Sequence, residues 1–313
     1  MQTTTGIKLT PRVKSYIMLF FVSVIWGVAT PIIKFTLEGF EPGIFLAYRF
    51  GLSTLAAALI FTFFGVHLPK DKNSLLLVFA YGFLNSVVSL GFLFFGMKNT
   101  TVLETGLITM ASPLIVSSAG VYFLNEKLTK REKLGMAIAI LGTLFTIIDP
   151  LINNGHGSLK FSGNILVFGY VLSTVVTSII VKKLLKKDIN PLMITNVSFI
   201  IGFISFGIVT LINTPLVNLT TSILGTPFKY HLGVIYMALI SGTLAFYLSN
   251  RAQKSIEIGE QSLFSYLYPV FSIPLAIFWL GEKVSPYFIF GAVIIIIGVV
   301  IAEVKKKRYN SSS

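Results

Sequence analysis

The chain of 313 residues contains no cysteine, and only 12% of its residues are charged. Without cysteine it forms no disulfide and offers no thiolate for nucleophilic or metal chemistry. A soluble domain carries about 25% charged residues, whereas 54% of the residues here are hydrophobic. So much apolar surface needs lipid around it, and the composition predicts a polytopic membrane protein.

Histidine is scarce as well, and acidic residues are absent from the middle of the apolar runs. His67, His156 and His231 fall between those runs and do not cluster. A metal site needs several such ligands together, and an enzyme needs a nucleophile with a base or paired carboxylates. We therefore expect no metal, no cofactor and no enzymatic activity, and an intramembrane enzyme or a scaffold is the disfavoured alternative.

The long apolar runs predict an all-α integral membrane fold. A helix needs about 20 mostly apolar residues to cross a bilayer, and ten stretches meet this requirement. They are residues 15–36, 43–65, 74–96, 102–124, 132–149, 162–184, 191–213, 231–252, 258–280 and 284–303. We expect residues 1–14 and 304–313 to form terminal tails.

The distribution of basic residues predicts the orientation of the chain. Lysine and arginine number 25 against 12 acidic residues, which gives a net charge of +13. They lie in short clusters between the apolar runs, a pattern of cytoplasmic loops rather than of nucleic-acid binding. With the N-terminus inside, nineteen basic residues fall on the cytoplasmic side and five on the other. Both termini are therefore predicted to be cytoplasmic.

One stretch of the chain occurs twice. The segment that starts at Lys98 returns 156 positions later at Lys254, with its marker residues in the same order. Because each copy would hold five spans, the second must enter the membrane from the opposite side. We predict two inverted repeats, 15–149 and 162–303, which is a common plan of secondary transporters. The matched pairs are Glu104 and Glu260, Pro113 and Pro269, Glu126 and Glu282, Lys127 and Lys283, Gly135 and Gly291, and Gly142 and Gly298.

Three motifs of the chain carry a resemblance to a known family. They are Trp26-Gly27, Tyr48-Arg49-Phe50 and the stretch from Glu104 to Gly142 with its Pro113 and Glu126. Together they resemble the EamA family of the drug/metabolite transporter superfamily. The resemblance covers nearly the whole chain. It implies a ten-helix bundle with a central cavity that exports amino acids or related small metabolites across the plasma membrane. The second copy departs from the pattern, since Thr174-Val175 replaces the tryptophan region and Ser198 stands where Arg49 would repeat.

The direction of transport and the substrate are open at this point. Uptake of a sugar or of another small metabolite is the alternative function. An organophosphate is disfavoured, because it would need several inward basic residues and only Arg49 is deep. The expected partners are a small-molecule substrate and the lipid bilayer, and a homodimer is kept open.

Polar side chains recur at helical spacing on four predicted spans. We expect them to line a shared cavity near the midplane, although small polar residues also hold membrane helices together. Aromatic residues that could stack on a substrate join them. The expected cavity and substrate-binding residues are Trp26, Tyr48, Asn85, Ser89, Thr109, Ser112, Ser241, Tyr247, Ser265 and Tyr268.

Two prolines and one possible ion pair complete the candidate residues. Pro113 and Pro269 each remove a backbone hydrogen bond in mid-helix, and we expect gating kinks there, or static packing kinks. Arg49 lies roughly 10 Å inside its span, where it could snorkel to water. The sharper hypothesis is an ion pair between Arg49 and Glu104, or an anchor for a substrate carboxylate. Glu104 could instead interact only with its helix dipole.

Overall fold

The computed structural model describes residues 10–65, 68–124, 130–152 and 157–303, and this part of the chain contains helices and no strand. Two π-helical segments, Phe83–Ser89 and Tyr236–Leu244, and one 3-10 segment, Leu263–Leu267, continue into α-helices. The α-helices are α1 (Pro11–Thr36), α2 (Pro42–Phe64), α3 (Lys72–Gly82), α4 (Leu90–Asn99), α5 (Val102–Thr109), α6 (Ser112–Leu124), α7 (Lys130–Ile152), α8 (Gly157–Lys186), α9 (Pro191–Asn213), α10 (Leu216–Gly225), α11 (Phe228–Ile235), α12 (Ala245–Gln253), α13 (Ile258–Ser262), α14 (Tyr268–Phe278) and α15 (Pro286–Glu303).

Eight helical segments of the described chain are long and apolar enough to cross a membrane, so the protein is a multi-pass membrane protein. In α7 and α15 the apolar segments are shorter, at residues 133–146 and 288–301, and the number of ten spans stays a prediction. The eight segments are Pro11–Thr36, Pro42–Phe63, Lys72–Asn99, Val102–Phe123, Lys160–Lys186, Pro191–Asn213, Phe228–Gln253 and Ile258–Phe278.

Helix starts follow local capping chemistry and move some predicted boundaries. The Thr10 side chain accepts a hydrogen bond from the Val13 amide, and Pro11 occupies the first turn. Residues 11–14 of the predicted N-terminal tail are therefore helical. Pro42 and Pro191 likewise open helices of equal length, α2 and α9. Outside the predicted spans, α7 and α8 extend beyond their expected ends and α10 forms between α9 and α11.

The helices α7 and α15 pack closely through the glycines that the repeat predicted as equivalent. A Cβ atom at Gly298 would lie 2.5 Å from the Ala139 amide nitrogen and 2.6 Å from the Gly135 carbonyl oxygen. A Cβ atom at Gly142 would lie 3.0 Å from the Ile295 amide nitrogen. Small residues of this kind let two membrane helices approach backbone to backbone.

Contacts between helices repeat when the two halves of the chain are exchanged. The helix α2 packs on α9, and α7 packs on α15, which pairs the second and fifth predicted spans of the two halves. The helix α4 packs on α8, and α12 packs on α1 in the equivalent way. The helices α5 and α14, from the fourth predicted spans, also meet. The sequence repeat is therefore matched by a repeat of tertiary contacts.

Two lysines bind the ends of equivalent helices. Lys34 near the end of α1 donates hydrogen bonds to three backbone carbonyl oxygens, at 2.6, 2.9 and 3.4 Å, and Lys182 near the end of α8 donates to two, at 2.5 and 2.7 Å. Two of these carbonyls, those of Met97 and Thr100, bind Lys34, and their equivalents 156 positions later, Gln253 and Ile256, bind Lys182.

Ion pairs at the helix ends are also duplicated. Lys160 lies 3.6 Å from Glu104 in the first turn of α5, and Arg12 lies 2.6 Å from Glu260 in the first turn of α13. Arg12 and Lys34 stand at the two ends of α1, about 33 Å apart along the helix axis. Equivalent contacts are thus found at opposite ends of the same helix. A further duplicated pair is Lys98 with Glu41 at 3.0 Å, and Lys254 with Asp188 at 2.8 Å.

Candidate functional site

A cavity with an empty volume of about 1390 Å³, its mouth included, lies between the two halves of the bundle. Helices α1, α2, α5 and α8 contribute to its wall, and so do α12, α13, α14 and both π-helical segments. The space inside it that the centres of water molecules can reach is about 200 Å³, and one water needs about 10–15 Å³ of such space. The cavity can therefore hold several waters or a small solute.

Eight of the ten residues that the sequence suggested for the cavity lie in its wall. They come from five different predicted spans, and the fold brings them together around one space. Most carry neutral hydroxyl or amide groups, which can exchange hydrogen bonds with a polar solute. The eight are Trp26, Asn85, Ser89, Thr109, Ser112, Ser241, Ser265 and Tyr268.

The two π-helical segments bring equivalent residues to this wall. Asn85 and Ser241, 156 positions apart, each lie within one of them. A π-helical turn inserts an extra residue into an α-helix and is frequent at functional sites. The indole nitrogen Nε1 of Trp26 donates a hydrogen bond of 3.0 Å to the Ser241 carbonyl oxygen. The indole thus ties α1 to the second π-helical segment.

The two prolines coincide with interruptions of the helices rather than with bends in continuous ones. Pro113 is the second residue of α6, and a turn at residues 110–111 separates α6 from α5. Pro269 is the second residue of α14, after the 3-10 segment Leu263–Leu267. A proline is tolerated at such a helix start because its missing N–H would be unpaired there anyway. The residues beside these interruptions that reach the cavity are Thr109, Ser112, Ser265 and Tyr268.

Tyr48 and Tyr247 do not line the cavity. The Tyr48 hydroxyl lies 3.2 Å from Nδ1 of His231, and the Tyr247 hydroxyl accepts a hydrogen bond of 2.7 Å from Arg251. Tyr247 follows Ser241 by six residues, which places it about 120° away around an α-helix, so the two residues do not share a face. Phe246 stands in the cavity wall instead.

The expected ion pair between Arg49 and Glu104 is not formed. Glu104 opens α5 at the end of the bundle, where it meets Lys160 and accepts a hydrogen bond of 2.6 Å from the Thr100 hydroxyl. Arg49 lies two turns inside α2, with none of its surface exposed, and lines the cavity. Arg49 lies two turns inside its helix, whereas Glu104 lies in the first turn of its own helix. The two side chains therefore do not meet, although both were predicted near the same side of the membrane.

The sequence reading missed a group of polar residues in the cavity wall. Asn250 and Gln253 lie there near the end of α12, and Gln261 lies there on α13, which follows the next loop. They were passed over because polar residues at span ends are expected at any membrane surface. Thr174 and Thr177 on α8 also line the cavity. Their spacing of three residues is a helical signal that could have revealed them.

Glu282 is part of the framework around the cavity. Its carboxylate accepts hydrogen bonds from the backbone amides of Val102, at 2.7 Å, and Leu103, at 2.9 Å. A residue that follows α14 thus caps the start of α5 in the other half. Burial raises the pKa of Glu282 above its ordinary value, while the two amides act in the opposite direction. Its sequence equivalent, Glu126, lies outside the described residues.

Curated relatives of similar length are described as transporters. A protein of Bacillus subtilis (strain 168) named "Uncharacterized transporter YyaM" is 28% identical over 304 residues, which covers 95% of this chain and 96% of that protein. A "Probable amino-acid metabolite efflux pump" of Salmonella typhimurium is 26% identical over 291 residues, covering 92% and 94%. A protein of Escherichia coli (strain K12) with the same description is 26% identical over 294 residues, covering 92% and 94%.

A solved structure titled "Crystal structure of protein" shares the fold, with a TM-score of 0.61 at 17% identity over 92% of this chain and 96% of that one. The EamA-like transporter family matches the sequence twice, at residues 13–148 and 161–303. These matches confirm the resemblance seen in the motifs, and they indicate a transporter rather than an enzyme. The chain belongs to the EamA-like transporter family.

Proposed function

We propose that this protein is a secondary transporter that exports amino acids or related small metabolites across the plasma membrane by alternating access. Support for the substrate class comes from relatives about a quarter identical that are described as probable amino-acid metabolite efflux pumps. In this proposal ten spans form two inverted repeats, and both termini are cytoplasmic.

The observation that carries the proposal is a single cavity to which both halves contribute equivalent parts. Each half supplies one π-helical segment and one helix interrupted before a proline. Inverted repeats around a central site let one half rock against the other, so that the site faces either side in turn. A cavity built from one half alone would not support such an exchange.

The duplicated end contacts support inversion. The pair Arg12 with Glu260 lies at the start of α1, and the equivalent pair Lys160 with Glu104 lies near its end. Two arrangements related by exchange of the halves would open one of these ends while the other stays closed. Because both pairs join the start of one half to the fourth span of the other, each would have to separate when its own end opens.

Transport is tested directly in proteoliposomes loaded with unlabelled amino acids and supplied with labelled ones outside. We expect saturable exchange of at least one amino acid that persists without a pH gradient, because the described cavity residues include no aspartate or glutamate. Liposomes without protein are the control. If no amino acid exchanges faster than in these control liposomes, the proposed substrate class is wrong.

The cavity itself is tested with single cysteines, which is simple because the natural chain has none. Ser89→Cys and Thr109→Cys should react with a water-soluble maleimide, and a transported amino acid should slow the reaction. Leu59→Cys is the matched control, since Leu59 is 64% exposed on the outer surface of the bundle and would face lipid. Cavity cysteines as unreactive as Cys at position 59 would contradict the assignment.

A further inference from the structure

Arg49 carries a charge that no residue in the described part of the chain neutralises. Its side chain is fully buried, and its nitrogens Nε, Nη1 and Nη2 have no hydrogen-bond partner. The rings of Phe50 and Phe94 lie 5.1 and 5.2 Å from its guanidinium carbon. The face of an aromatic ring attracts a cation much more weakly than a negatively charged partner does. An uncompensated charge in the protein interior costs several kcal/mol, so such a residue calls for an explanation.

The cavity supplies the place for a missing partner. Among its described lining residues Arg49 is the one charged side chain, and the others are apolar or neutral and polar. The acids that might have served are engaged at the ends of the bundle. Glu104 meets Lys160, and Glu260 meets Arg12. Since no acid of the described residues pairs with Arg49, a partner of opposite charge can be supplied by a molecule that enters the cavity.

The equivalent place in the other half shows what a purely structural solution looks like. Ser198, which the repeat aligns with Arg49, shares a hydrogen bond of 2.7 Å with the Ser86 hydroxyl and accepts one of 3.2 Å from Asn85. There, neutral groups satisfy one another. In the first half the arrangement is incomplete, because the guanidinium has no such neighbours.

A glycine makes room for the guanidinium. Gly242 is the repeat equivalent of Ser86, and a Cβ atom there would lie 3.3 Å from Nη2 of Arg49 and 2.8 Å from the Met237 carbonyl oxygen. A serine like that of the first half would crowd the guanidinium. Two differences between the halves are therefore linked: Arg49 stands where the other half has Ser198, and Gly242 stands where the other half has Ser86.

We propose that Arg49 binds the carboxylate of the transported molecule, which makes the substrate an organic monocarboxylate such as an amino acid. The guanidinium presents a planar fork of N–H donors that matches a carboxylate with two parallel hydrogen bonds. A single cation in a neutral wall suits one negative charge, whereas a phosphate dianion needs more basic groups. The inference rests on the proposed transport function and adds the group of the substrate that is recognised.

The test measures binding to the purified full-length protein through the fluorescence of Trp26, which lies in the cavity wall. Trp279, the other tryptophan, is replaced in a Trp279→Phe background. The probes are the common amino acids, their carboxamides, and simple aliphatic and aromatic monocarboxylates. We expect each acid that binds to do so about tenfold or more tightly than its amide, as loss of a charged partner implies.

Two variants assign this preference to Arg49. In Arg49→Gln the acid and the amide should bind equally weakly, and the protein without ligand should be no less stable, since a buried unpaired charge is gone. Gly242→Ala keeps the charge but crowds Nη2, so it should weaken the acid more than the amide. Arg49→Lys should retain part of the preference.

The outcomes separate this inference from the proposed function. A wild-type protein that binds no carboxylate, or an Arg49→Gln protein that keeps the preference for acids, overturns the carboxylate site. If Arg49→Gln fails to fold, Arg49→Lys decides, because lysine keeps the charge without the fork of donors, and an acid-to-amide ratio as high as that of the wild type overturns the site. Binding of simple monocarboxylates without any amino acid would instead keep the site and reject amino-acid export.

Discussion

The two halves of the molecule share a framework and differ at its centre. Both halves end their first span with a lysine that binds backbone carbonyls, both interrupt a helix before a proline, and both widen a helix into a π-helical segment. The likeness stops at Arg49, which lines the cavity, because its counterpart in the other half is Ser198. The duplicated parts suit movement between two equivalent states, and the single charge suits recognition of a substrate.

The difference also explains why one half looks complete and the other does not. Ser198 has its hydrogen bonds within the protein. Arg49 has none in the described chain. Evolution of a duplicated chain can leave the framework alone and change a few positions at the shared site. Four predictions examine this division between framework and site, in order of decreasing effect.

The close contact between α7 and α15 should be equally sensitive to a larger side chain at Gly142 on α7 and at Gly298 on α15. Gly298→Val would place side-chain atoms against the backbone of α7, and Gly142→Val would do so against α15. We expect each to lower the unfolding free energy by about 1–3 kcal/mol, as overpacking does. Thermal unfolding of the purified protein measures this. Gly207→Ala is the control, because a Cβ atom there meets nothing within 4 Å. A large loss for one valine variant alone would break the symmetry.

The cap that Glu282 gives to α5 should be worth about 1–2 kcal/mol, so Glu282→Ala should destabilise the protein by that amount. Because burial raises the pKa of Glu282, the folded protein holds more protons there than the unfolded one between the ordinary and the raised pKa. In this mildly acidic window its contribution to stability should fall as pH rises.

The pH effect is measured as the difference in unfolding free energy between wild type and Glu282→Gln across that window, which removes the effect of other groups. The wild type should lose stability relative to Glu282→Gln as pH rises. Profiles that run parallel would show that Glu282 titrates alike in the folded and unfolded states.

Ser198 and Arg49 should respond in opposite ways to removal. Ser198→Ala deletes the acceptor for Asn85 and the partner of Ser86, and should cost about 1 kcal/mol of stability with substrate affinity retained. Arg49→Gln should leave stability unharmed and remove acid recognition. Unfolding and binding measured on the same samples compare them. Equal losses of affinity would mean that both halves take part in recognition.

The two end ion pairs should have small and opposite effects. Arg12→Gln loosens the contact with Glu260, and Lys160→Gln loosens the contact with Glu104. Exposed pairs contribute up to about 1 kcal/mol, so each change should alter access to the cavity by about twofold to fivefold. The rate at which Thr109→Cys reacts with a maleimide supplied from one side of the membrane reports this. Shifts in the same direction for both variants would contradict the alternation.

Much of this arrangement could be predicted because it depends on local sequence properties. The length of apolar runs locates helices, and a constant separation of marker residues reveals the repeat, so Asn85 and Ser241 were placed correctly in one wall. The sequence gives the depth of a residue but not its direction around the helix. For that reason Arg49 was paired with an acid that the fold holds elsewhere.

The remaining misses have different physical causes. Tyr247 lies six residues after Ser241, about 120° away around an α-helix, whereas the π-helical segment brings Phe246, five residues after Ser241, to the cavity wall. The polar residues Asn250 and Gln253 looked like span ends facing water, and only tertiary packing shows that this end adjoins the cavity. Non-standard turns and long-range packing leave no periodic trace in one sequence.

The central claim is that equivalent positions of the two halves lie on opposite sides of the membrane. Single cysteines at Lys98 and Lys254, which are 156 positions apart and end equivalent helices, test it most directly in intact cells treated with a membrane-impermeant maleimide. We predict that Lys98→Cys is labelled from outside, whereas Lys254→Cys is labelled only after the cells are permeabilised. Labelling of both residues from the same side would contradict the inverted arrangement.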